Sequence, residues 1–140
     1  MDLLNLKSKK VAVFTDPTIA KLHPLKAVIE SLDRHKVNYV LYDTVRVEPT
    51  DTRLPCSPVS FKDAIAWSKR HNPDAFVAVG GGSVMDTTKA ANLYATYPDA
   101  DFLDFVNAPI GKGRVVDRSL KPLICGRFKV DGMKGSVERW

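Results

Sequence analysis

Gly80, Gly81, Gly82 and Ser83 stand together directly after the apolar run Ala75-Phe76-Val77-Ala78-Val79. Without side chains, such residues let backbone N–H groups approach a phosphate closely and take positive φ where a turn needs it. A helix starting near Ser83 would add unpaired N–H donors and the positive end of its dipole, both favourable to an anion. The dipole alone is worth about 0.3–1 kcal/mol when exposed, so backbone donors would supply most of the binding. A plainer use of the same residues is a tight turn, with Ser83 and Asp86 forming an ordinary capping box. Neither G-x-G-x-x-G nor G-x-x-x-x-G-K-[ST] is present.

Asp16 is the second candidate. It follows the first apolar run, where an acidic side chain can accept hydrogen bonds from ribose hydroxyls. It can equally cap the next helix or hold the Asp16-Pro17 turn. Other residues offer less. His23, His35 and His71 have no i, i+4 spacing that would set two imidazoles on one helix face for a metal. Cys56 has no histidine nearby in sequence, and no Ser-His-Asp arrangement is visible. Lys89 reads as a solvated helix residue, and Phe61 and Trp67 as core. No residue is expected to be catalytic or to hold a metal.

The elements that would position these candidates follow from periodicity. Lys10–Thr15 is a short apolar run, the mark of a strand buried on both faces. Leu22, Leu25, Val28, Ile29 and Leu32 form one stripe of an amphipathic helix over Leu22–Asp33. Strand character returns at Val37–Tyr42. Residues 43–58, with Pro49, Pro55 and Pro58, read as loop. Ser60 starts a helix to His71 whose inward face is Phe61, Ala64, Ile65 and Ser68. Ala75–Val79 is a buried strand, and Val84–Thr96 a helix rich in small residues. Asp101–Val106 fits one helical turn, and Leu120–Cys125 a fourth strand. Strands alternating with helices imply right-handed crossovers and an α/β, parallel-sheet, Rossmann-like fold.

The 140 residues suit one compact domain. Charge is uneven. Of 21 basic and 16 acidic residues, eight basic and three acidic lie after residue 111, so the whole excess of +5 is in the tail. That tail has no tight Lys/Arg cluster, so neither nucleic acid nor membrane is expected as a partner. Two cysteines without CxxC spacing imply no disulfide framework. Met1–Leu6 shows neither a secretory nor a transit pattern, so a cytoplasmic location is expected of the chain as it stands.

Several stretches together resemble the iron-containing alcohol dehydrogenases: Val11–Pro17, Tyr42-Asp43, Val47–Thr50 and above all Ala78-Val79-Gly80-Gly81-Gly82-Ser83-Val84-Met85-Asp86-Thr87-Thr88-Lys89-Ala90. Ala91–Ala95, Asp101–Val106 and Ala108–Gly113 support the likeness, which covers residues 1–124. It implies a dinucleotide-binding domain over 1–124, with Asp16 at the adenosine ribose and Gly81, Gly82, Ser83 and Asp86 around the phosphates and nearby ribose of NAD. It also implies NAD or ADP-ribose as ligand, a full-length homologous subunit as a further partner, and a mitochondrial setting. Within the family, the likeness is to members that pass hydride from 4-hydroxybutyrate to 2-oxoglutarate through bound NAD. Three departures limit the transfer. Residues 53–59 look inserted, and residues 125–140 diverge and are expected to be a disordered tail. The family's all-helical domain, with its Asp and three His for a metal, has no counterpart here. The isolated chain is therefore expected to be inactive, with only a partial NAD site.

Overall fold

The computed structural model describes residues 10–45, 58–127 and 136–138. Among the described residues five strands and three α-helices follow in the order β1 (Lys10–Thr15), α1 (His23–Arg34), β2 (Asn38–Tyr42), α2 (Pro58–His71), β3 (Ala75–Gly80), α3 (Gly82–Thr96), β4 (Leu123–Arg127) and β5 (Ser136–Glu138), with a short 3₁₀ turn between β1 and α1. The sheet order is β2-β1-β3-β4-β5. The first four strands are parallel, and β5 pairs antiparallel with β4. The expected α/β parallel sheet is present. The proposed insert 53–59 lies mostly outside the described residues.

β1 and β3 occupy the centre and bury both faces, which is why they read as continuous apolar runs. On one face Val11, Val13, Ala75, Val77 and Val79 meet Leu25 and Leu32 of α1. On the other, Ala12, Phe14, Phe76 and Ala78 meet Ala64 of α2 with Val84 and Ala91 of α3. This division of helices follows from strand order: right-handed crossovers running left from β1 and right from β3 must use opposite faces. The order therefore reverses between β1 and β3, at the place where open α/β sheets bind ligands.

α1 ends in a Schellman motif. Val37 N–H donates to Leu32 C=O at 3.0 Å and Lys36 N–H to Asp33 C=O at 3.0 Å, with Lys36 at φ 54° in the place glycine usually takes. The chain thus turns directly into β2.

Two boundaries differ from expectation. β4 starts three residues later than Leu120, because Lys121 is held outside the strand. Its N–H donates to Asn92 Oδ1 at 3.1 Å, Asn92 Nδ2 returns a bond to its C=O at 2.7 Å, and its Nζ reaches Pro73 C=O at 2.7 Å. β4 also continues through Cys125, Gly126 and Arg127, paired with Ala78, Val79 and Gly80. The strand thus runs past its expected end at Cys125 into Gly126 and Arg127, residues expected in the divergent tail, and Ser136–Glu138 add a short antiparallel strand.

Between α3 and β4 the chain packs onto the outer side of the helices. Ile65, Tyr94, Tyr97 and Ala100 form a small cluster there, with Phe102 and Phe105 against it. Residues 102–105 make a turn, closed by Asp104 N–H on Asp101 C=O at 3.0 Å. Tyr97 is the main fastener. Its hydroxyl donates to Asp117 Oδ1 at 2.6 Å and accepts from the N–H groups of Asp117 at 2.8 Å and Arg118 at 2.6 Å. The Arg114 and Arg118 guanidinium groups lie 5.2 and 5.0 Å from its ring centre.

Tyr97→Phe is expected to lower stability by about 1–3 kcal/mol, since it strands two amides as well as a carboxylate. Urea unfolding measures this. The Tyr97 hydroxyl is also the main cause that holds the Asp117 carboxyl below the usual carboxylate range. A depressed folded-state value means support that is present above the ordinary carboxylate pKa and lost as pH falls through the lowered one. The variant should therefore lose less stability than the parent on acidification.

Candidate functional site

The carboxyl ends of β1 and β3 bring Asp16 and the glycine turn together. Asp16 is 4% exposed. Its Oδ1 accepts from the N–H groups of Thr18 and Ile19, both at 2.9 Å, so it nucleates the short 3₁₀ turn Ile19–Lys21. Its other oxygen borders Gly80: a Cβ built there would lie 3.2 Å from Asp16 Oδ2. The capping role left open by the sequence is thus real, and it uses one oxygen only.

The glycines differ in kind. A Cβ on Gly80 would come within 2.6 Å of Val84 Cγ2, so this position is dictated by packing of α3 on β3. At Gly81 and Gly82 a Cβ would meet nothing within 4 Å. The protein's own packing gives no reason for glycine at either.

α3 begins two residues before the expected Val84. Gly81 is its N-cap, at φ −84° and ψ −170°, and no side chain caps it. Met85 N–H closes the first turn on Gly81 C=O at 3.2 Å. A Ser83–Asp86 capping box is therefore not what shapes this end; both residues lie inside the helix. Among the described residues nothing accepts from the N–H groups of Gly82, Ser83 and Val84. Ser83 is half-buried, while Asp86 stands exposed one turn further on. The arrangement offers a small anionic group open amides, a helix N-terminus and no side chain in the way.

Thr15 was not singled out from the sequence. It ends β1, is fully buried, and its hydroxyl has no partner among the described residues. Its C=O accepts from Val45 N–H at 3.4 Å, drawing the chain after β2 back across the end of β1. A Thr at a strand end carries no signal that would have marked it.

The remaining candidates are occupied elsewhere. Trp67 packs against Phe14 and Tyr42, and His71 stacks near Trp67. Lys89 is exposed. Cys125 is buried in β4, and that burial pushes its thiol above the ordinary value, which opposes nucleophilic use. Cys56 lies outside the described residues. Among the described residues no three His, Cys, Asp or Glu side chains gather as a metal would require. The donor set does not fit a catalytic metal, and no step through one is derived. Among the described residues no helix is long and apolar enough to cross a membrane.

Comparison with known proteins places this geometry. Hydroxyacid-oxoacid transhydrogenase, mitochondrial, of Xenopus laevis is 56% identical over 124 residues, covering 89% of this chain and 25% of the relative. The Homo sapiens protein of the same name is 51% identical over the same shares. The chain thus spans about a quarter of the length of these relatives. Among solved structures, alcohol dehydrogenase from Oenococcus oeni superposes with a TM-score of 0.68 at 25% identity, covering 90% of this chain and 30% of that one. NADH-dependent butanol dehydrogenase A from Thermotoga maritima has the same fold, with a TM-score of 0.70 at 22% identity, covering 89% of this chain and 28% of that one. The family model for iron-containing alcohol dehydrogenase matches residues 1–125, ending where the sequence pattern breaks, and the chain belongs to that family.

Proposed function

We propose that the chain is the NAD-binding portion of an iron-type alcohol dehydrogenase of the hydroxyacid-oxoacid transhydrogenase kind. The observation that carries this reading is the pair Gly81 and Gly82, glycine without internal need, opening an uncapped helix at the switch point. A diphosphate there would accept from the amides of Gly82 and Ser83. Asp16 Oδ2 suits a ribose hydroxyl and not a phosphate, because an acceptor-only carboxylate repels phosphate oxygens. Exposed Asp86 suits the same class of donor. Because these relatives are mitochondrial by name, a mitochondrial setting is the natural one. The full-length relatives supply a further candidate partner, as a subunit.

Bound here, NAD would supply the acceptor and donor for hydride. What this chain contributes is binding and orientation: the first turn of α3 fixes the diphosphate, and the end of β1 fixes the ribose. Among the described residues no three His, Cys, Asp or Glu side chains gather to hold a metal, so the 140 residues alone are expected not to oxidise 4-hydroxybutyrate. Turnover by the purified chain, with contaminating enzyme excluded, would overturn that.

Titration calorimetry with NAD and ADP-ribose, joined to a circular dichroism melt, tests the binding. Ligand at about a hundred times its Kd should add about 2.7 kcal/mol and raise Tm. A cooperatively folded chain that gives neither heat nor a shift would leave a βαβ domain in which Asp16 is only a cap.

A further inference from the structure

A cleft of about 280 Å³ lies on the outer side of α2 and α3, beside the segment that packs there after α3. Lys62, Ile65, Ala66 and Lys69 line it from α2 at steps of three and four residues, so they form one stripe of that helix. The two lysines start about 10 Å apart along the axis, with Ile65 and Ala66 between them as an apolar floor. Tyr94 of α3 and Phe102 make a wall. Their rings stack at 5.9 Å, and the Tyr94 hydroxyl donates to Phe102 C=O, so the wall is fixed before any ligand arrives. Tyr94 stands about 18 Å along α3 from Gly82, so the cleft is separate from the glycine turn.

The two ammonium groups are held by neutral partners. Lys62 Nζ lies 5.4 Å from the centre of the Phe102 ring. Lys69 Nζ donates to the C=O groups of Pro98 at 3.0 Å and Ala100 at 3.5 Å, which leaves one of its three donors to spare. Among the described residues neither lysine forms an ion pair. Asp101 also lines the cleft, so two positive charges face one negative charge there. We propose that this cleft binds a small organic monocarboxylate with a flat apolar body. Its one charge balances the lining, its carboxylate oxygens accept from Lys62 and Lys69, and its body lies on Ile65 and Ala66 against the Phe102 ring. A bare inorganic anion would leave that floor and wall unused. A preformed, mostly apolar hollow with a few charged groups is the usual form of a small-molecule site. This assignment does not rest on the nucleotide reading.

Fluorine NMR with 4-fluorobenzoate as the probe tests it. Binding should be saturable at about the millimolar level, as suits about ten heavy atoms. The neutral 4-fluorobenzamide, of the same shape, should bind at least about threefold more weakly. Lys62→Glu reverses the balance of charge at an exposed residue, so the fold should survive, as circular dichroism will check. It should weaken 4-fluorobenzoate at least about fivefold and make 4-fluorobenzylamine the better ligand. Lys26→Glu, exposed on α1 across the sheet, should change neither. No saturation below about 20 mM, equal affinity for the amide, or a Lys26→Glu effect as large as that of Lys62→Glu overturns the proposal.

Discussion

Gly82→Ala should leave the chain as stable as before, or more so, while ADP-ribose binding falls at least about tenfold. A methyl group at residue 82 meets no protein atom within 4 Å. Alanine in a helix exceeds glycine by up to about 1 kcal/mol, so any stability change should be favourable. The same methyl would stand where a diphosphate must approach the amides. Losing one or two charge-assisted hydrogen bonds of about 1.5–3 kcal/mol each is enough for the loss of affinity. Gly80→Ala should do the reverse. Its methyl would press on Val84, which is fully buried between β3 and the other helices and cannot retreat. Overpacking of this kind costs about 1–3 kcal/mol. Asp16 needs care in the same experiment. Asp16→Ala removes two amide acceptors and destabilises by about 1–2 kcal/mol whether or not a ligand binds there. Asp16→Asn keeps Oδ1 and so isolates the charge. Unfolding curves beside calorimetry decide the matter: Gly82→Ala binding with undiminished affinity would remove the turn as the site.

The contrast between Gly80 and its two neighbours marks how far the sequence could be read. Three consecutive glycines announced a turn after a strand, and nothing in their order says which one packing requires. That depends on Val84 landing over Gly80, a contact set by the helix start. The start itself was placed late because Ser83 and Asp86 matched a side-chain cap, whereas the backbone of Gly81 fills that position. β1, α1 and β3 were legible because their patterns express burial directly: both faces for the strands, one stripe for the helix. β4 was legible as a strand but not in its bounds, which are Leu123–Arg127 and not Leu120–Cys125. β5, with three residues, is too short for a period to emerge. The real start of β4 is fixed by Asn92, twenty-nine residues away in the chain. The Tyr97 fastening, across twenty residues, has no periodic trace either. For Asp16 the structure shows the capping role, through Oδ1; the ribose contact of Oδ2 is part of the proposal.

Phe14→Ala should cost about 3–5 kcal/mol, the largest loss of any single truncation considered. Phe14 is fully buried on the central strand, and three rings converge on it: Tyr42 at 5.0 Å, Trp67 edge-on at 5.5 Å and Phe76 at 6.1 Å. These rings come from β2, α2 and β3, so one side chain ties three elements to β1. Domains of this size hold about 5–15 kcal/mol in total, so the variant should unfold at a much lower urea concentration. Near-ultraviolet circular dichroism should lose intensity as Trp67 loses its edge contact. Phe14→Leu, which refills most of the space, should recover more than half of the loss. Leu103→Ala, on the exposed loop, should change stability by less than about 0.5 kcal/mol. Phe14 also sits two residues before Asp16, so ligand binding and this core are mechanically close. If the nucleotide site is real, saturating ADP-ribose should return about 2.7 kcal/mol to Phe14→Ala as it does to the parent, because linkage depends only on the folded state that binds. A variant that ADP-ribose stabilises far less than the parent would mean that the aromatic cluster shapes the site as well as the fold.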